Sequence, residues 1–132
     1  MAEEPAEATP AAQPFIERIG GSDALRAVVW RFYELVEADA DLRPLYPEDL
    51  APGREKLALF LEQWLGGSGR YSELYGHPRL RARHFPFAVT ELGAGRWLRH
   101  MRQAMQECGV DEDAQREIFS ALGPLAHHMV NK

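Results

Sequence analysis

Leu25, Val28, Val29, Phe32 and Val36 recur three or four positions apart, and this spacing constrains the fold more than any other feature of the chain. Such a stripe lies along one face of an α-helix, whereas a half-buried strand would alternate. Ser22 suits an N-cap and Asp23 a first turn, so the spacing predicts one amphipathic helix over residues 23–38. Tyr33 follows Val29 by four residues and therefore flanks the stripe, facing inward with its hydroxyl available.

The same periodicity organises the rest. Residues 1–13 are acidic and Ala/Pro-rich, with Thr9 their only β-branched residue and no aromatic, so a disordered tail is expected there and a single domain over 14–132. PFIERI predicts a short helical turn stopped by Gly20 and Gly21. Residues 39–46 suggest a turn-helix, and YPEDLAPG reads as a loop punctuated by Pro47, Pro52 and Gly53. A second helix is expected over 54–65, with Leu57, Phe60, Leu61 and Trp64 on one face and Gly66–Gly67 as terminator. Thr90 can cap a third, ending at Cys108–Gly109 and lined by Trp97, Met101, Ala104 and Met105; Gly93 and Gly95 weaken its first turn. Asp111 or Asp113 opens the last, which directs Ile118, Phe119, Leu122, Leu125, Ala126 and Met129 inward and which Pro124 should kink. No stretch alternates. The expected class is all-α.

A net charge of −5 argues against a nucleic-acid partner. The single cysteine, Cys108, forbids an internal disulfide and fits a reducing compartment. No apolar run approaches the roughly 18 residues of a membrane span, and the N-terminus lacks the basic-then-apolar pattern of a signal peptide. The expectation is a soluble cytoplasmic protein with no membrane or nucleic-acid partner.

One segment stands apart: Tyr71 to Phe87, YSELYGHPRLRARHFPF, an aromatic, basic, Pro-interrupted connection in an acidic chain. It reads as one long loop, and a connection of that length in a small domain is usually functional. Of the five histidines, none forms an i,i+4 pair or an HExxH, so a zinc site on a helix is disfavoured. His127 and His128 read as surface or helix-terminal side chains, and His100 as lying on the polar flank of the Trp97 helix. His84 differs, with Phe85 and Phe87 after it and Arg81 and Arg83 before it. Two readings stay open on these residues alone: an ordinary loop histidine, or a single axial metal ligand with arginines at the edge of a large cofactor. Tyr33, Tyr46 and Trp97 likewise either find separate backbone partners or converge as three donors beside an apolar wall. No nucleophile motif or Walker pattern is present.

Taken together, RFYELV around Tyr33, LYPEDL around Tyr46, FLEQWLGG at 60–67, GHPRLRARHFPF at 76–87 and RWLRHM at 96–101 make the chain resemble the truncated haemoglobins, specifically their second group, from Phe15 to Asn131. The resemblance implies an abbreviated globin, a two-over-two helical sandwich, with haem b in its core. It makes His84 the proximal iron ligand, while His77 is not one. It places Tyr33, Tyr46 and Trp97 around a bound gas, and Leu57, Phe60, Leu61, Phe87 and Met101 against the haem. Lys56 and Arg83 suit the propionates, with Tyr71 at the same edge. Gly53, or Arg54 on the alternative alignment, stands where other globins often carry a distal histidine.

Three distal donors each contributing about 1–1.5 kcal/mol would slow ligand release by roughly two to three orders of magnitude. Slow release suits redox chemistry on O2, such as oxidation of nitric oxide or a peroxidase-like reaction, with electrons from an external reductase or reductant. Reversible binding or sensing of O2, NO or CO without turnover, including oxygen transport, is the alternative. A globin-like module that has lost haem is a third class, against which His84 in its motif speaks.

Overall fold

The computed structural model describes residues 13–84 and 89–132. All but one residue of the expected tail, and Phe85, Pro86 and Phe87 of the loop, lie outside the described residues. Among the described residues seven α-helices follow one another, with no strand: α1 Phe15–Arg18, α2 Ser22–Glu37, α3 Ala51–Trp64, α4 Arg70–Tyr75, α5 Leu80–His84, α6 Glu91–Glu107 and α7 Glu112–His128. A 3-10 turn, Arg43–Leu45, lies between α2 and α3.

Helix α2 is the hub. It packs against α6 and α3, α6 packs against α7, and α1 reaches α7, so α2/α3 and α6/α7 form the two layers of a two-over-two sandwich. The stripe Leu25, Val28, Val29, Phe32 and Val36 is completely buried. Removing each such side chain from water stabilises the fold by about 2 kcal/mol. Leu61, Met101, Met105 and Ile118 complete the centre of the core from the other three long helices. Among the described residues, no helix is long and apolar enough to cross a membrane.

Helix ends follow local chemistry. Thr90 Oγ1 accepts the Gly93 N–H at 2.9 Å, and Asp111 Oδ2 accepts that of Ala114 at 3.0 Å, so α6 and α7 start where caps are expected. The two glycines of α6 do not delay its start. Helix α7 continues through Pro124 to His128.

Three expectations are corrected. Ser22 does not cap α2. Gly20 and Gly21 both adopt positive φ (109° and 93°), which turns the chain so that Gly21 takes the N-cap and Ser22 is already helical. Helix α3 begins at Ala51 rather than near Arg54. Asp49 Oδ1 accepts the Ala51 N–H at 3.1 Å, and Pro52 lies in the first turn, where its missing N–H breaks no helical bond. Finally, the stretch from Tyr71 to His84 is not one open loop but contains α4 and α5. Gln63 holds α4 from α3: its Nε2 donates to Ser72 Oγ at 2.8 Å, and its Oε1 accepts the Ser72 N–H at 2.9 Å.

Candidate functional site

Three elements bring Tyr33, Tyr46 and Trp97 together. Tyr33 projects from α2 beside the buried stripe, Tyr46 follows the 3-10 turn, and Trp97 lies in the second turn of α6. The Tyr33 and Tyr46 rings meet edge-on, with centroids 5.8 Å apart at 83°. Phe32 contacts both sides of the group, at 5.4 Å from Tyr33 and 5.1 Å from Trp97. The Trp97 indole is a hydrogen-bond partner of the Tyr46 hydroxyl. Tyr33 Oη points at Gly53, where an added Cβ would stand only 3.2 Å away.

Electrostatics keep both tyrosines protonated. Burial pushes the Tyr33 phenol up to about 12, opposed by the nearby Arg54 guanidinium. Burial also raises Tyr46, helped by Tyr33 and opposed by the Trp97 hydrogen bond. Near neutral pH, both hydroxyls are therefore neutral donors.

A buried carboxylate braces this group. Asp39 accepts Arg96 Nη1 at 3.2 Å, His100 Nε2 at 2.8 Å, and the backbone N–H groups of Asp41 (2.9 Å) and Leu42 (3.2 Å). The hydrogen bond to His100 is the main reason its carboxyl is held well below the usual carboxylate range; the backbone donors and Arg96 add to it. Arg96 and His100 flank Trp97 on α6, and Asp39 leads into the Tyr46 turn, so one carboxylate joins two of the distal elements. Arg43 secures the far side of that turn through Pro47 O (3.0 Å) and Glu48 O (2.9 Å). Sequence reasoning left His100 on a polar flank and missed Asp39. The i,i+4 pairing of Arg96 and His100 around Trp97 is the signal that could have found it.

On the other side, His84 ends α5 with its side chain exposed. Its Nδ1 lies 2.8 Å from Leu80 O. A carbonyl can only accept, so Nδ1 carries the proton and, in the neutral ring, Nε2 keeps its lone pair for a metal. Among the described residues no three His, Cys, Asp or Glu side chains cluster as a metal cage. A metal at His84 with a single protein ligand suits a cofactor that brings its own ligands, so the residues present fit haem.

The expected cofactor contacts gather on α3 and its neighbours. Leu61 and Met101 are fully buried, while Leu57 and Phe60 are half-buried and pack against the core. Phe60 meets Tyr71 edge-on at 5.6 Å, and Tyr71 touches Tyr75 at 5.1 Å. Lys56 Nζ lies 4.7 Å from the centroid of the Tyr75 ring. Arg83 does not reach toward Lys56. It donates to Pro78 O at 2.8 Å and to Tyr75 O at 3.0 Å, so Tyr75 links the two cations, one through its ring and one through its carbonyl. Sequence reasoning did not single out Tyr75. Phe87 lies outside the described residues.

Comparison with known proteins follows the same lines. Residues 14–131 match the family described as Bacterial-like globin. A group 2 truncated hemoglobin of Bacillus subtilis is 41% identical over 112 residues, 85% of each chain. The group II truncated hemoglobin of Bacillus anthracis superposes with a TM-score of 0.88 at 42% identity, covering 91% of this chain and 98% of that one. A truncated oxygen-avid haemoglobin from Bacillus subtilis gives 0.86 at 40% identity, covering 90% and 100%. The chain belongs to the bacterial-like globin family as a group II truncated haemoglobin, a fold built for haem-based gas binding.

Proposed function

We propose that the protein carries haem b, binds O2 and other diatomic ligands such as NO and CO, releases O2 slowly and carries out redox chemistry on the bound gas. Haem supplies the ligand-binding iron and the one-electron redox couple. The chain supplies everything around it. His84 is the sole protein ligand, through Nε2. Leu57, Phe60, Leu61 and Met101 exclude water, which strengthens every polar contact inside, and the family pattern adds Phe87 as a haem contact. Lys56 and Arg83, linked through Tyr75, would meet the propionates, with Tyr71 at the same edge. Tyr33 and Tyr46 hold protons at their Oη atoms beside the space where a diatomic guest accepts hydrogen bonds, and Trp97 Nε1–H, the partner of Tyr46, is the third donor at that space.

The observation that carries this reading is the convergence of those three donors from α2, the 3-10 turn and α6, with both phenols kept neutral. At about 1–1.5 kcal/mol for each donor that reaches the guest, they favour retention over exchange, which suits chemistry better than delivery. The oxygen-avid relative from Bacillus subtilis supports slow release. The candidate reactions are oxidation of nitric oxide and a peroxidase-like turnover, each fed by an external reductase or reductant in the cytoplasm.

The test begins with absorbance. Purified protein should show a Soret band that His84→Ala abolishes or displaces, and the reduced protein should consume nitric oxide or peroxide over repeated cycles. A colourless protein that takes up no added haem would sink the proposal. A loaded protein that exchanges O2 rapidly and never turns over would instead be a reversible binder or sensor.

A further inference from the structure

Helix α5 is poorly fixed by apolar packing, although it carries His84. None of its residues is buried. An open groove of about 410 Å³ separates it from α3 and α7, floored by Phe60, Trp64, Leu125 and Met129. What holds α5 instead is a set of hydrogen bonds from the end of α7. Arg81 Nη1 donates to His128 O, a carbonyl in the last turn of α7 that lacks a helical partner.

Asn131 does more. Its Nδ2 donates to His84 O at 3.2 Å, and its Oδ1 accepts the Val89 N–H at 3.0 Å. The main-chain N–H groups of Asn131 and Lys132 both donate to Val89 O, at 2.9 and 3.2 Å. One side-chain amide thus grips the backbone on both sides of the segment between His84 and Val89, using its donor on one side and its acceptor on the other. An amide offers both at once, from two separate atoms.

We propose that Asn131 is a positioning residue for His84: it fixes the backbone that carries the imidazole and so sets how firmly the cofactor is held. This rests on the haem reading above. Asn131 touches neither iron nor gas. It acts through the His84 carbonyl, while the Nδ1 bond to Leu80 O fixes the ring about its own axis. Arg81 and Arg83 tie the rest of this exposed five-residue helix to His128 O and Tyr75 O, but Asn131 is what grips the carbonyl of His84 itself, and loosening that support weakens the iron–nitrogen bond.

The experiment compares the wild-type holoprotein with Asn131→Ala, Asn131→Asp and Lys132→Ala. Asn131→Ala removes the side-chain bonds to His84 O and to the Val89 N–H. Asn131→Asp keeps the acceptor for Val89 but places an oxygen against the His84 carbonyl. Lys132→Ala keeps the main-chain bond and serves as control. Haem transfer to an acceptor apoprotein should quicken about fivefold or more in both Asn131 variants, the loss expected of one hydrogen bond. The iron–histidine stretching band of the reduced protein should move in both, with far-UV circular dichroism unchanged. Lys132→Ala should match wild type. If Asn131→Ala fails to fold, the Asp variant decides. Unchanged transfer rates and an unmoved band in loaded variants would overturn the clamp alone, as would Lys132→Ala behaving like Asn131→Ala. A wild-type protein with no Soret band would overturn the clamp and the haem reading together.

Discussion

The Tyr33 hydroxyl is aimed at the Cα of Gly53, so closely that a Cβ there would stand 3.2 Å from Oη. Position 53, where a distal histidine is missing, is therefore also where the distal tyrosine needs room. The Tyr33 ring cannot simply retreat, because it is held between Phe32 and Tyr46. Gly53→Ala should force the hydroxyl to shift by a few tenths of an ångström. Against this, alanine is favoured over glycine in a helix by up to about 1 kcal/mol. Thermal stability should therefore stay close to wild type while O2 dissociation, followed by stopped flow, quickens several-fold. An unchanged rate would mean that the hydroxyl does not define the ligand space.

The distal donors should not contribute independently. Tyr33→Phe removes a hydroxyl whose ring packing survives, and O2 release should quicken roughly tenfold, the worth of one net hydrogen bond. Tyr46 and Trp97 instead share a bond with each other. Tyr46→Phe frees the indole N–H for the ligand, so its effect should be smaller and should depend on whether Trp97 is present. A double-mutant cycle with Trp97→Phe should give a coupling above the roughly 0.5 kcal/mol seen for independent sites. Strict additivity of the two rates would argue that the pair does not act as a unit.

The sequence-readable and the hidden parts of this molecule differ by how far apart the determining residues lie. The four long helices could be read from periodicity, because 14 to 17 residues give several turns of a repeating face. Helices α4 and α5 have only six and five residues, too short for a period, and α4 depends on Gln63, nine positions before Ser72. Pro52 and Gly53 looked like breakers because their position within the first turn of α3 is not visible from composition. In the site, each distal aromatic could be placed on its own helix or turn, but their meeting rested on the family resemblance. The brace behind them joins Asp39 to residues 57 and 61 positions away, and no local pattern announces such a contact. Asn131 was passed over for the same reason.

Asp39 makes the distal side acid-sensitive. Its folded carboxyl lies well below the usual range, chiefly through His100. A depressed carboxylate contributes stability that is fully present above the unfolded value of about 4 and is lost as pH falls toward the folded one. Asp39→Asn should therefore melt below wild type at neutral pH, and the gap should narrow progressively under about pH 4. Melting curves by circular dichroism between pH 2 and 7 would show it. A gap that stays constant across that range would mean the stabilisation is not carried by the charge.

The buried phenols impose the opposite limit in alkali. Burial raises Tyr33 to about 12 and raises Tyr46 as well. An acid whose folded value is raised contributes stability that is complete below its unfolded value, near 10 for tyrosine, and that fades as pH climbs through the folded one. The melting temperature should thus decline above about pH 10. Of the four tyrosines in the chain, part of the tyrosinate absorbance should be withheld until the circular-dichroism signal collapses. Tyr33→Phe should shrink that withheld fraction and flatten the alkaline decline, since phenylalanine has no proton to lose from the same packed position. Should both Tyr33 and Tyr46 ionise in the intact protein alongside an exposed phenol, water reaches the distal pair, and the neutral-donor basis for slow release fails with it.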